Sequence, residues 1–254
     1  FAPGLPQETV LSESDGIYDA FVAKYAVNGT LLWVNQLENA SSFAVTAMEE
    51  GGAIALRDGG LVRYHHDGTL AWEKTGTPGD PFSSAMPASL VLLPDGGTLA
   101  AGDLRGTYTF GAGEPNQTTL TAVQTIDDLT AGTPGRDIYL ARYAPAGTLD
   151  WVYQTGGEAW ETADHLTLTT GGDKLLLSGG FESGYNAYYT AIFGLNEQNE
   201  TTLSSAGGSD LFLAQFHLAA TPVWYVDQTN TTGNEDGLSW ASAFTTLQPA
   251  INAA

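Results

Sequence analysis

Along most of the chain, apolar and polar positions alternate in runs of four to eight residues separated by short Gly-, Pro-, Asn- or Asp-containing breaks. That is the pattern of half-buried strands joined by tight turns. The stretch RDIYLARYAPAGTLDWVYQ, Arg136 to Gln154, shows it most clearly. Ile138, Leu140 and Tyr143 are bulky around the small Ala141, Ala144-Pro145-Ala146-Gly147 interrupts, and Leu149, Trp151 and Tyr153 alternate beyond the break. A β-hairpin is predicted. The same design recurs in DAFVAKYAVNGTLLWVNQ from Asp19, GLVRYHHDGTLAWEK from Gly60 and DLFLAQFHLAATPVWYV from Asp210. In each copy an aromatic closes the first strand and a Trp stands eight residues later in the second: Tyr25 and Trp33, Tyr64 and Trp72, Tyr143 and Trp151, Phe216 and Trp224.

The second copy is preceded by Phe43 to Met48, a Glu49-Glu50-Gly51-Gly52 turn, Ala53 to Leu56 and Asp58-Gly59-Gly60. Four strands in about forty residues is the size of one propeller blade. Ser89 to Leu93 with Thr98 to Gly102, and Leu166 to Thr169 with Lys174 to Gly179, supply the corresponding inner strands of the third and fourth units. Tyr25 to Tyr64 spans 39 residues, whereas Tyr64 to Tyr143 spans 79 and Tyr143 to Phe216 spans 73. The longer units therefore carry inserts, Arg105 to Pro134 and Glu182 to Gly207, read as an extra hairpin or a long surface loop. Phe1 with Thr9-Val10-Leu11 matches Phe110 with Thr118-Thr119-Leu120 and Phe193 with Thr201-Thr202-Leu203, so the chain is expected to begin partway through a repeat, as a processed or excised piece. The expectation is an all-β protein of propeller-type blades, each of four antiparallel strands. About three and a half repeats are expected, at about 1–38, 42–76, 84–155 and 163–226. They make a repeat region over 1–222, followed by a distinct segment over 223–254.

Composition sharpens this in two ways. The 8 Lys and Arg against 29 Asp and Glu give a net charge of −21, which argues against nucleic acid and anionic membranes as partners, because both require a basic stripe. Cys is absent, which removes disulfides, thiolate catalysis and Cys-based zinc sites. Leu90-Val91-Leu92-Leu93 and Leu175-Leu176-Leu177 are strand-sized, far short of a membrane-spanning helix.

The motifs DAFVAKY, DIYLARY and DLFLAQF, followed by a turn, Gly-x-Leu-x-Trp and a Gly-Gly-containing strand pair, resemble the bacterial extracellular β-propeller repeat family known as the SBBP repeat. The resemblance covers about Phe1 to Trp224. The second unit departs from it, with no Asp read before Leu61 and no insert. From Val223, VWYVDQTNTTGNEDGLSWASAFTTLQPAINAA resembles the opening of a right-handed parallel, pectate-lyase-like β-helix module. It has a strand, an acidic Gly loop and a capping helix in which Trp240, Phe244, Leu247 and Ile251 share one face. Ser239 or Ser242 would cap that helix.

Candidate chemistry is sparse. Asp19, Asp137 and Asp210 recur before strands, and turn formation is the stronger reading over cation binding. The repeated Tyr, Phe and Trp read as packing between blades in preference to a ligand-stacking surface. His65-His66 beside Asp67-Gly68 reads as an exposed turn, since successive strand residues face opposite ways and do not chelate one metal together. His165 and His217 are isolated. Glu158, Glu161 and Asp164 could in principle form a glycan-cleaving acid/base pair, but ordinary blade connection is the stronger reading. Asp227, Asn234 and Asp236, with Asn230, Glu235, Gly233 and Gly237 nearby, offer clustered oxygen donors in a Gly-rich loop and form the candidate calcium site.

These readings lead to a non-enzymatic, extracellular or cell-surface bacterial protein for adhesion, display or ligand binding through blade loops, an expectation that rests largely on the resemblance. Its expected partners are a glycan or protein at a cell surface, or a second copy through strand edges. Two alternatives stand beside it: the substrate-binding region of a secreted polysaccharide-active β-helix enzyme, and a structural subunit of an extracellular filament or stalk.

Overall fold

The computed structural model describes residues 1–4, 8–12, 19–38, 40, 44–124, 135–158, 160–182, 190–194, 200–205, 207–218, 226, 229, 245 and 246. The described residues are all-β. The strands are β1 (Ala20–Tyr25), β2 (Leu31–Leu37), β3 (Ala44–Ala47), β4 (Ala53–Arg57), β5 (Gly60–Tyr64), β6 (Leu70–Lys74), β7 (Thr77–Pro78), β8 (Ser84–Leu92) and β9 (Thr98–Arg105). They continue with β10 (Thr107–Phe110), β11 (Thr118–Thr121), β12 (Arg136–Tyr143), β13 (Leu149–Thr155), β14 (Trp160–Leu168), β15 (Lys174–Glu182), β16 (Thr190–Phe193), β17 (Thr201–Ser204) and β18 (Ser209–His217). The segment proposed as a capping helix, 240–251, lies outside the described residues apart from Thr245 and Thr246, as does most of 223–254.

The strands form small sheets, none of which closes on itself. Two are four-stranded: a meander β3-β4-β5-β6, and β8-β9-β12-β13, in which the β10–β11 hairpin interrupts the sequence between the second and third strands. A three-stranded sheet β14-β15-β18 carries the same interruption, the hairpin β16–β17. The first unit contributes only β1–β2. The insert of the third unit is thus a hairpin, and β7 adds to its edge through Thr109 opposite Thr77.

Three hairpins repeat one turn to the level of individual hydrogen bonds. Ala26, His65 and Ala144 each donate their N–H four residues ahead, to Thr30, Thr69 and Thr148, and each accepts from a glycine three ahead, Gly29, Gly68 or Gly147. Those glycines sit at φ +82, +86 and +81, the left-handed region that closes a four-residue turn at little steric cost to Gly alone. Each first strand slips register just before its closing aromatic, at Lys24/Tyr25, Arg63/Tyr64 and Arg142/Tyr143.

The same turn is what the preceding unit holds. Trp33 of β2 donates its indole N–H to the His66 carbonyl at 3.1 Å, and a Cβ on Gly68 would stand 2.5 Å from its ring. One unit further, a Cβ on Gly147 would stand 2.5 Å from the Trp72 ring. The cation before each aromatic joins in: Lys24 reaches the His66 carbonyl at 3.4 Å and Arg63 the equivalent Pro145 carbonyl at 3.3 Å. Glycine is required at these places both for its backbone and for the space it leaves. Gly147→Ala is expected to cost about 2–4 kcal/mol, from the left-handed backbone and from displacement of Trp72, as read by urea unfolding. An unchanged midpoint would show that the Trp72 contact does not hold the units together.

The main core lies between the second and third units. Leu56 and Leu61 meet Leu104, Tyr139 and Tyr143, and the inserted hairpin adds Tyr108 and Phe110. The insert therefore belongs to the core rather than forming a surface loop, because its aromatics alternate inward: Tyr108 is 3 % and Phe110 0 % exposed. A second cluster of Val22, Leu37, Val62 and Tyr64 joins the first and second units. All of this falls within one compact unit, 1–167 with 176–215. The other comprises 168–175 and 216–254. There Thr169 donates to the Lys174 carbonyl across a turn at 2.9 Å, and Leu218 donates to the Asp173 carbonyl at 2.9 Å.

Candidate functional site

The repeated aromatics divide by context. Tyr64 and Tyr143 are buried at 5 % and 2 % exposure inside four-stranded sheets, whereas Tyr25, in the two-stranded sheet, is 51 % exposed. Trp33, Trp72, Trp151 and Phe216 are half-buried, and Trp224 lies outside the described residues. So do Asp227, Asn234 and Asp236, together with Asn230 and Glu235. Among the described residues no cluster of three or more His, Asp or Glu is arranged to hold a metal ion. His65 and His66 occupy an exposed turn.

Asp137, one of the recurring Asp residues, is not a turn former. Asp137 sits within β12, fully buried, opposite Leu104. Its carboxylate accepts the Val123 N–H at 3.1 Å and the side-chain amide of Gln154, which also donates to the Thr121 carbonyl at 2.9 Å. The first unit repeats the clip: Gln36 donates to Asp19 and, at 3.0 Å, to the Ser12 carbonyl. The Asp–Gln spacing of 17 residues, with Gln three after the Trp, was present in the sequence and marks this clip. It ties the end of each outer strand to the segment ahead of the next inner one. The second unit does carry an Asp at the equivalent place, Asp58, six residues before Tyr64. Its equivalence is hidden because the Asp58-Gly59 turn delays the strand to Gly60, and Asp58 itself adopts φ 47.

Glu161 is fully buried in β14 and approaches Asp137; a Cβ on Gly156 would stand 2.9 Å from both the Asp137 carboxyl carbon and Glu161 Oε2. Glu161 Oε1 accepts the Gly157 N–H at 3.1 Å, while Oε2 finds no hydrogen-bond partner among the described residues. Burial, reinforced by the Asp137 charge, pushes the Glu161 carboxyl up to about 9, so it carries its proton at neutral pH. Glu158 and Asp164, grouped with it in sequence, are exposed. Strand alternation turns Glu161 inward and leaves Asp164 outside, so the three carboxylates do not converge. Both carboxyls are fully buried, out of reach of a bulky substrate in solution.

An open concave site among the described residues lies elsewhere. A cleft of about 510 Å³ opens where the first unit meets the second, lined by the end of β2 (Asn35 to Glu38), by Arg57 and Asp58, and by Leu70 and Glu73. Arg57 crosses it, donating to the Glu38 carbonyl at 3.1 Å and pairing with Glu73 at 2.5 Å. Burial holds the Asp58 carboxyl above the usual carboxylate range despite the adjacent Arg57 charge. In the third unit the corresponding region is covered: Tyr108 of the inserted hairpin hydrogen-bonds the Asp58 carbonyl and packs against Gly59. The second unit has no such hairpin, which leaves its own boundary with the first unit open.

No family model matches the chain, and no curated protein matches it. Among solved structures it is similar to a protein of unknown function from Bacteroides caccae, at 14% identity over 70% of this chain, with a TM-score of 0.30. The chain spans 66% of that protein's length. A likeness of that size carries no argument about function.

Proposed function

We propose that the chain is a non-enzymatic, extracellular bacterial repeat protein, built of propeller-type blades, that binds a surface glycan or protein in the cleft between its first and second units. The observation that carries the reading is the open cleft at a unit boundary where, among the described residues, the inserted hairpin is missing. Its lining mixes an anchored guanidinium with carboxylates and amides, a set suited to hydroxyl-rich or peptide-like ligands. The propeller arrangement is supported by the repeated four-strand meander and by the one-to-next docking of Trp33 and Trp72. Panels of immobilised bacterial glycans and surface proteins test it. A bound ligand is expected to lose affinity about tenfold or more in the double variant Asp58→Asn, Glu73→Gln, through lost hydrogen bonds to charged groups. Equal binding by parent and variant would place the site elsewhere.

A second reading, self-assembly through strand edges, is favoured by Tyr25, which is left 51 % exposed where Tyr64 and Tyr143 are buried. Light scattering after size exclusion separates the two: concentration-dependent oligomers support assembly, and a monomer at every concentration removes it.

A further inference from the structure

Within a chain of net charge −21, two arginines stand directly opposite one another. Arg136 at the start of β12 pairs with Arg105 at the end of β9, and Ser84 of β8 pairs with Arg105 from the other side. Residues opposite in an antiparallel ladder share a face, with Cβ atoms about 5 Å apart. One row across three strands therefore presents a hydroxyl and two guanidinium groups. Like charges placed this way are destabilising, and the chain has 29 carboxylate side chains with which to avoid it.

It does not do so. Arg57, Arg63 and Arg142 are each held by a carboxylate at hydrogen-bonding distance. Arg105 has no ion pair among the described residues, and Arg136 has only Asp103 at 3.9 Å. The Nε atoms of both are buried and lack hydrogen-bond partners among the described residues. Asp103 is a single carboxylate between two guanidinium groups: its Oδ2 lies 3.9 Å from Arg136, while its Oδ1 accepts the Ala163 N–H at 2.9 Å. Burial, then the Arg136 charge, works against the charged form of Arg105, and Asp103 offsets this only in part.

We propose that Arg105 and Arg136 form a binding site for an oxyanion group (carboxylate, sulfate or phosphate) bridged between their two guanidinium forks, with Ser84 beside it. An oxyanion supplies the second counter-charge that two guanidinium groups sharing one carboxylate lack, and bidentate guanidinium recognition suits planar and tetrahedral anions alike. The site lies on the third unit, away from the cleft residues, and stands independently of the binding function proposed above.

The test is an NMR titration of arginine Nε–H signals with sodium sulfate, sodium phosphate and sodium glucuronate in turn, at ionic strength held constant with sodium chloride. Saturable shifts confined to Arg105 and Arg136 are expected, abolished in Arg105→Gln and weakened about tenfold or more in Arg105→Lys, which keeps the charge but loses the fork. A response to glucuronate alone assigns the site to acidic sugars, and a response to sulfate or phosphate alone assigns it to tetrahedral esters. Backbone amide spectra establish that each variant is folded, and Arg136→Gln replaces Arg105→Gln if the latter does not fold. Shifts that do not saturate with any of the three anions, or saturable binding that persists in the glutamine variant, would overturn the proposal.

Discussion

Glu161→Gln is expected to stabilise the protein at neutral and alkaline pH and to leave its stability near pH 4.5 unchanged. The folded state holds Glu161 as the acid, with its carboxyl raised from 4.5 to about 9 by burial and then by Asp137. Below about 4.5 the group is protonated in folded and unfolded chains alike, and its favourable contribution is fully present. As pH rises, the unfolded chain gains by ionising while the folded chain does not, so stability falls steadily until pH approaches 9 and then levels. At 1.36 kcal/mol per unit the loss at pH 7 is about 3 kcal/mol. Gln keeps the shape and neutrality of the protonated acid without the ability to ionise, so its profile stays flat over the same window. Urea unfolding of parent and variant at pH 5, 7 and 8.5 reads this directly. Parallel profiles would mean that Glu161 is ionised in the folded protein and that the buried pair is neutralised some other way.

Phe110→Ala is expected to cost about 3–5 kcal/mol, a large share of the roughly 5–15 kcal/mol that holds an ordinary protein folded. Phe110 is 0 % exposed, its ring stands 5.0 Å from both Tyr108 and Tyr139, and it joins the core shared by the second and third units. Truncation leaves a void beside the Tyr108 and Tyr139 rings, inside the shared core. Thermal unfolding followed by near-ultraviolet circular dichroism measures the loss. A cost below 1 kcal/mol would return the β10–β11 hairpin to the status of a surface appendage.

The strands were legible because a period of two is written directly into which residues are large. DIYLARY and TLDWVYQ each announce one inward and one outward face, and β12 and β13 follow them. The repeat was legible for a related reason, since the Tyr-to-Trp spacing of eight is the arc of one fixed turn. The importance of the inserts was hidden, because Thr-Tyr-Thr-Phe is short and polar on average; its two aromatics count only once the hairpin folds over Asp58 and Gly59. Asp137 was assigned to a turn by residue preference, which knows nothing of Gln154 seventeen residues on. Glu161 was grouped with its sequence neighbours Glu158 and Asp164, although a strand sends neighbours to opposite faces and brought it to Asp137 instead. Arg105 and Arg136 drew no notice at all, being thirty-one positions apart until the β9–β12 register sets them side by side.

The docking of Trp33 and Trp72 runs one way, each reaching forward to a turn made later in the chain. On a ribosome this order has a temporal meaning. Trp33 has no seat until Gly68 has emerged, and Trp72 none until Gly147 has, waits of 35 and 75 residues. At ordinary elongation speeds these are pauses of roughly 2–7 s and 4–15 s, far longer than a hairpin needs to form. Each nascent unit therefore stands folded but unclasped, its indole exposed, for seconds at a time. The newest stretch of polypeptide completes the one before it.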